Sequence, residues 1–123
     1  MAENAVDTAI RSGGLNAARC QTENLPIRSP EVMRSNGERL HPELPYTQEE
    51  VIRAVRDEMA RTVEDALARR TRALFLNARA AIEMAPKVAS IMAGELGRPT
   101  GWVESELLSF RQTANSYLCG VVE

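Results

Sequence analysis

The sequence predicts an all-α fold: a small bundle of about four to five helices with an irregular N-terminal arm. Three observations predict it. Alanine is abundant whereas aromatic residues make up only 4% of the 123 residues, a composition that favours helices over sheets. From residue 46 onward, apolar residues recur at helical spacing. Between residues 13 and 45, glycine and proline interrupt the chain and no apolar period is sustained.

The chain is predicted to divide into an arm (residues 1–45) and a helical bundle (residues 46–123). Near the N-terminus, apolar residues up to Ile10 share one helical face, and the Gly13-Gly14 pair is a helix stop signal. The rest of the arm is interpreted as turns and extended linker. We expect the weakest order in the polar stretch 28–39.

Two capping boxes predict the first helices of the bundle. Thr47 and Glu50 form the stronger box, and apolar residues continue at helical spacing to about Met59. Thr62 and Asp65 form a second, weaker box before a short apolar stripe. We therefore expect a break or bend between two helices.

The remaining bundle is predicted to hold three more helical segments. Apolar spacing runs from Ala73 toward Ala85, and Pro86 suits the first turn of a new helix better than the interior of the old one. Gly97 ends that helix, and Thr100 starts the last one, whose broad apolar face predicts a buried packing helix. That face comprises Trp102, Val103, Leu107, Leu108, Phe110, Ala114, Tyr117 and Leu118.

Length, charge and cysteine usage limit what the chain can do by itself. At about 100–200 residues per domain, it is one small domain or part of a larger protein. The 17 acidic and 15 basic residues nearly cancel, so we expect no nucleic-acid partner. Cys20 and Cys119 lie far apart and no leader opens the sequence, which predicts a cytoplasmic location. No apolar run nears the ~18 residues of a membrane span, so we expect no transmembrane segment.

The sequence contains no recognisable catalytic, cofactor-binding or metal-binding motif. His41 is the only histidine and has no second ligand at metal-binding spacing, and neither Cys20 nor Cys119 has a histidine beside it in the sequence. Nucleotide-binding and hydrolase fingerprints are absent. We therefore expect that the chain alone binds no cofactor and is not an enzyme.

One polar cluster stands out, because several arginines fall within three helical turns after the second capping box. Their guanidinium groups could bind a phosphate or carboxylate, although ion pairing with neighbouring carboxylates at a surface or interface is the default interpretation. The cluster comprises Arg69, Arg70, Arg72 and Arg79. The carboxylates of Glu64 and Asp65 have Arg61, Arg69 and Arg72 within reach.

Several stretches together match one known family. They include Leu-Pro-Tyr-Thr-Gln-Glu-Glu-Val at 44–51, a nearly gapless run through Leu76, Ala-Pro-Lys-Val-Ala at 85–89, and Gly-Gly-Leu at 13–15 followed by Cys-Gln-Thr at 20–22. Over nearly its whole length the chain thus resembles the C-terminal helical domain of FAD-dependent glycerol-3-phosphate dehydrogenases and the related alpha-glycerophosphate oxidases. The family commonly has histidine where this chain has Asp57 and aspartate where it has Asn77.

The resemblance implies a role in glycerol metabolism as part of a flavoprotein oxidoreductase. Such an enzyme oxidises sn-glycerol 3-phosphate to dihydroxyacetone phosphate and passes electrons to quinone at the inner face of the cytoplasmic membrane, or to oxygen in the oxidases. The FAD-binding and substrate domains lie in a long N-terminal part, so no catalytic residue carries over. The implied role of this piece is to dock on or stabilise those domains, with Arg61, Glu64, Asp65, Arg69, Arg70 and Arg72 as the candidate interdomain interface.

Two other functions remain open at this point. A free-standing helical protein–protein interaction module has the same periodicity, and homodimerisation through leftover apolar surface would suit it. The second alternative is an anion-binding regulatory domain that uses the arginines.

Overall fold

The computed structural model describes residues 2–18, 20–26 and 37–118, and these fall into one unit before residue 34 and one after it. The described part is mostly helical, which confirms the predicted all-α class and the irregular N-terminal region. Most of the stretch 28–39, predicted to have the weakest order, lies outside the described residues, and so does Cys119.

The N-terminal unit contains one regular helix, α1 (Ala2–Gly13), and a 3-10 turn (Thr22–Asn24). The predicted glycine stop is confirmed. Gly14 adopts a left-handed conformation with φ +59°, and the N–H of Leu15 donates to the carbonyl of Ile10 at 3.1 Å, which closes the helix end. No residue of α1 is buried.

The second unit begins with a hairpin that the sequence analysis interpreted as linker. Strands β1 (Arg39–His41) and β2 (Leu44–Thr47) pair antiparallel. β1 packs against the later helix α4 (Ala78–Leu96) and β2 against α2 (Gln48–Arg56). Leu44 is buried, whereas Pro45 is exposed. Strands of three and four residues are too short to show an alternating pattern, so this element was missed.

Helix α2 (Gln48–Arg56) begins at the predicted capping box. The carboxylate of Glu50 accepts a hydrogen bond from the backbone N–H of Thr47 at 2.8 Å, which satisfies a donor at the helix N-terminus. After α2 the chain turns at Met59 and enters a π-helical segment (Asp65–Arg70). The predicted bend between the two helices is thereby confirmed.

The position of the next helix break differs from the prediction. A single-turn helix, α3 (Ala73–Leu76), is followed by α4 (Ala78–Leu96), which continues through Pro86. The break lies at Asn77, whose side chain accepts the N–H of Ala80 at 3.1 Å as an N-cap. Proline in a helix interior costs about 3 kcal/mol, but the apolar residues of α4 that are buried on both sides of the exposed Pro86 outweigh this cost.

The core forms where α2 and α5 (Thr100–Asn115) pack against α4. The predicted broad buried face of α5 is wrong in part. Phe110 and Ala114 are buried, whereas Leu108 and Tyr117 are exposed, because only one side of the last helix faces α4. The largest fully buried apolar side chains are Phe110, Leu67, Leu74, Met84, Met92, Val51, Val63 and Val88.

Candidate interdomain interface

All six residues predicted for the interdomain interface lie between α2 and α3, in residues 59–72, hereafter the arginine segment. Its two ends, Met59 and Arg72, have left-handed backbones with φ of +58° and +62°. Such conformations cost a non-glycine residue about 1–2 kcal/mol, so surrounding contacts must hold them. Buried Val63 and Leu67 fix the middle of the segment in the core.

Asp65 organises the start of the π-helical segment. Its Oδ2 accepts hydrogen bonds from the backbone N–H groups of Arg61 at 3.0 Å and Thr62 at 3.1 Å, and the Thr62 hydroxyl accepts the N–H of Asp65 at 3.0 Å. This is the second predicted capping box. Burial alone would favour the neutral carboxyl, but these hydrogen bonds and the charge of Arg69 hold the pKa of Asp65 below its ordinary value.

Arg69 is paired with two carboxylates of its own segment. Its Nη1 donates to Asp65 Oδ1 at 3.0 Å and its Nη2 to Glu64 Oε1 at 2.8 Å, which confirms the ion pairing expected from the sequence. The second oxygen of Glu64 accepts the hydroxyl of Thr113 on α5 at 3.2 Å. Arg69, Glu64 and Thr113 therefore link the arginine segment to the last helix.

A second polar contact makes the same connection. Glu106 on α5 accepts the backbone N–H of Val63 through its Oε2 at 2.9 Å. Sequence reasoning missed both Thr113 and Glu106, because their partners lie more than 40 residues away and no local spacing signals a tertiary contact.

Arg70 holds the other end of the segment. Its Nε donates to the backbone carbonyl of Glu58 at 2.8 Å, beside the left-handed Met59, and lies 3.9 Å from the Glu58 carboxylate. Arg69 and Arg70 thus bind groups of this chain, which weakens the anion-binding interpretation. Within the described residues, the exposed side chains of Arg61 and Arg72 have no hydrogen-bond or ion-pair partner.

An aromatic pair lies next to the arginine segment. Phe75 on α3 and Tyr117, just beyond α5, contact each other edge to face with ring centroids 5.3 Å apart. Phe75 is 53% exposed and Tyr117 45% exposed, and the neighbouring Leu76 is 66% exposed. The sequence analysis assigned Tyr117 to the buried face of the last helix, which is wrong.

His41 has a structural position. Its Nδ1 accepts the N–H of Glu43 at 3.2 Å, and its Nε2 lies 3.0 Å from the carboxylate of Glu83 on α4. The side chain is only 14% exposed and ties the hairpin to α4. Across residues 2–18, 20–26 and 37–118, no group of three or more histidine, cysteine or acidic residues could hold a metal ion.

No helix in the described part of the chain combines the length and apolar character needed to cross a membrane.

Comparisons with known proteins identify relatives of the chain. A family model of the C-terminal domain of alpha-glycerophosphate oxidase matches residues 15–104. A probable mitochondrial glycerol-3-phosphate dehydrogenase from Caenorhabditis elegans is 44% identical over 82 residues. This alignment covers 67% of the chain but only 11% of the relative, so the chain spans a small fraction of that protein's length. No solved structure matches.

Proposed function

Because the chain belongs to the family of alpha-glycerophosphate oxidase C-terminal domains, we propose that it is the non-catalytic helical domain of an FAD-dependent glycerol-3-phosphate dehydrogenase. The longer protein oxidises sn-glycerol 3-phosphate to dihydroxyacetone phosphate and passes the electrons to quinone. Quinone dissolves in the bilayer, so this activity places the longer protein peripherally on a membrane. The family match and the C. elegans relative, a probable glycerol-3-phosphate dehydrogenase, support this proposal.

The residues that the structure describes do not fit FAD. Dinucleotide sites use a strand, a glycine-rich turn and the N-terminus of a helix within a parallel sheet. Here the sheet is an antiparallel hairpin, and β2 runs into α2 directly at Thr47 and Gln48 without an intervening glycine. We therefore assign the flavin and the substrate to the part of the longer protein outside this domain.

The proposed role of the domain is to dock on that catalytic part through the arginine segment. The observation that carries the role is that this segment is held in a fixed, strained conformation, while the exposed side chains of Arg61 and Arg72 have no ion-pair partner among residues 2–18, 20–26 and 37–118. Left-handed non-glycine residues persist only where surrounding contacts determine them, and they cluster at functional sites. Arginine is enriched at protein interfaces because its planar guanidinium pairs with carboxylates.

The test uses the full-length flavoprotein with Arg61 and Arg72 both replaced by alanine. We expect bound FAD to be retained, whereas the melting temperature falls and protease releases the C-terminal domain faster. Arg98→Ala is the matched control, because Arg98 lies just after α4, outside the arginine segment, and is an exposed arginine without a side-chain partner among the described residues.

Unchanged melting and unchanged release in the double variant would contradict the docking role of the arginine segment. A further variant, Arg69→Ala, removes the link to Glu64 and Asp65. It should loosen the arginine segment itself, and so lower the melting temperature whether or not the segment docks on the catalytic part.

A further inference from the structure

Two aromatic side chains in the described part of the chain are exposed and contact each other. The chain has one tryptophan, two tyrosines and two phenylalanines. Phe110 is buried and Tyr46 and Trp102 are partly buried, whereas Phe75 and Tyr117 are exposed. Aromatic side chains are the main anchors of protein interfaces, because they bury a large apolar area at a low cost in side-chain entropy. Two exposed rings in contact therefore indicate an interface rather than a solvent-facing surface.

The local fold explains why these side chains face outward. Helix α3 has a single turn, and its first two residues, Ala73 and Leu74, are buried in the core. The next two residues, Phe75 and Leu76, consequently lie on the opposite side of the turn. The left-handed Arg72 immediately before α3 sets this orientation. Tyr117 then contacts Phe75 from the end of α5 and completes what we call the aromatic patch: Phe75, Leu76 and Tyr117.

Charged groups lie around the patch: the Glu43 carboxylate accepts a hydrogen bond at 2.6 Å from Asn77, which follows Leu76, and two arginines flank α3 in the sequence. Arg72 immediately precedes α3, and Arg79 lies in the first turn of α4. Both side chains are exposed and make no ion pair within the described residues. An apolar centre with charged residues around it is the usual arrangement of an interface. The complementary surface is an apolar recess bordered by carboxylates.

The size of the patch indicates which partner covers it. A large apolar side chain has on the order of 200 Å² of surface, so the exposed fractions here leave roughly 300 Å² in total. A stable complex of separate chains buries about 800 Å² on each partner, far more than this patch offers to a second copy. A surface tethered in the same polypeptide needs less area, because the tether raises its effective concentration to about the millimolar range.

From these observations we propose that the aromatic patch docks into an apolar, carboxylate-bordered recess on the catalytic part of the same polypeptide, with Arg72 and Arg79 pairing at its border. This inference rests on the proposed function and deepens it by naming the anchoring side chains. The large share of the C. elegans relative that lies outside the alignment supports an intramolecular partner. The arginine segment, which adjoins α3, lies beside this anchor.

The test compares variants of the full-length flavoprotein. Phe75→Ser with Tyr117→Ser removes the two anchors. Leu108→Ser is the control, because Leu108 is an exposed apolar residue that lies outside the patch and is, at 65%, even more exposed than either anchor. We expect the double variant to retain FAD and helical content. Protease should release its C-terminal domain about tenfold faster than that of the wild type, because loss of interface anchors commonly weakens binding by this factor or more. Leu108→Ser should behave like the wild type.

Two further variants distinguish docking from a folding defect. Phe75→Leu with Tyr117→Leu keeps an apolar surface and should restore most of the slow release. Leu76→Ser changes an exposed side chain alone and should accelerate release by a smaller factor. Hydrogen exchange should show that α3 and the end of α5 are protected in the wild type and lose this protection in the serine variant.

Three results would overturn the proposal. If the flavoprotein binds FAD and oxidises glycerol 3-phosphate but the serine variant releases the domain at the wild-type rate, the patch is wrong while the proposed function stands. If the serine variant changes a dimer into monomers without faster release, a second copy covers the patch. If the full-length protein neither binds FAD nor oxidises glycerol 3-phosphate, the proposed function fails and this inference fails with it.

Discussion

Around α4, buried apolar side chains hold the helices together, with Phe110, Met84 and Met92 almost fully excluded from water. In the arginine segment, buried Val63 and Leu67 fix the middle, and hydrogen bonds to charged groups near the surface hold the rest of the chain, as for Asp65 and Arg69. Burial of a large apolar side chain contributes about 1.5–3 kcal/mol, whereas a partly exposed hydrogen bond or ion pair contributes about 1 kcal/mol or less. The core thus supplies stability, and the arginine segment supplies a defined surface.

The largest effect is expected in the core. Phe110→Ala removes a fully buried ring from the contact between α5 and α4 and leaves a cavity, so we expect the free energy of unfolding to fall by about 3–5 kcal/mol. Urea unfolding measures the loss. Leu108→Ala on the exposed side of α5 should change the stability by less than about 0.5 kcal/mol. Similar losses for the two variants would mean that α5 does not pack by one face.

A smaller effect is expected for the hydrogen bonds of Asp65 in the arginine segment. Asp65→Asn removes the charge that faces Arg69 and one of the acceptor oxygens, so we expect a loss of about 1 kcal/mol at pH 7. The matched control is Glu104→Gln, an exposed carboxylate on α5 without a hydrogen-bond or ion-pair partner among the described residues. It should leave stability unchanged.

The pH dependence of the Asp65→Asn effect has a definite sign. The pKa of Asp65 is lowered in the folded chain, so the stabilisation is complete above the unfolded pKa of about 3.9 and disappears as the pH falls through the folded value. The difference between wild type and Asp65→Asn should therefore persist at pH 5 and shrink below about pH 4. A difference that grows in acid would show that the carboxylate is not stabilised by its partners.

The two regions also differ in how far the sequence predicts them. Local chemistry predicted the capping boxes at Thr47 and Thr62 and the glycine stops at Gly14 and Gly97, because each depends on residues a few positions apart. The pairing of Arg69 with Asp65 followed from helical spacing for the same reason. Its pair with Glu64 spans five residues and depends on the π-helical turn.

Two causes explain the features that the sequence analysis missed. The predicted apolar face of the last helix was too broad, because Phe110 has apolar residues three and four positions away whereas Leu108 has polar residues there. Packing of α5 on α4 accordingly buries Phe110 and leaves Leu108 exposed. The contacts of Thr113 and Glu106 with the arginine segment depend equally on where α5 packs. Pro86 does not end α4, because the burial of apolar residues on both sides of it outweighs the cost of proline in a helix. The helix break lies at Asn77 instead.

The smallest effect concerns backbone strain, and here the two regions should respond with opposite signs. Met59 is left-handed and 72% exposed, so its side chain contributes little burial while its backbone costs about 1–2 kcal/mol. Glycine relieves that strain but makes the unfolded chain more flexible, by about 0.5–1 kcal/mol. Met59→Gly should therefore stabilise the chain by roughly 0.5–1 kcal/mol in urea unfolding, whereas Phe110→Ala in the core destabilises it.

Met59→Ala separates the backbone from the side chain, because alanine removes the side chain and keeps the strain. Its stability should stay near that of the wild type. A loss of stability in both variants would instead show that the Met59 side chain stabilises the turn by contact. Met59→Gly can also be compared in this chain and in the full-length flavoprotein. If the variant stabilises this chain but releases the domain faster from the flavoprotein, the strained backbone at Met59 holds the arginine segment in its docking conformation.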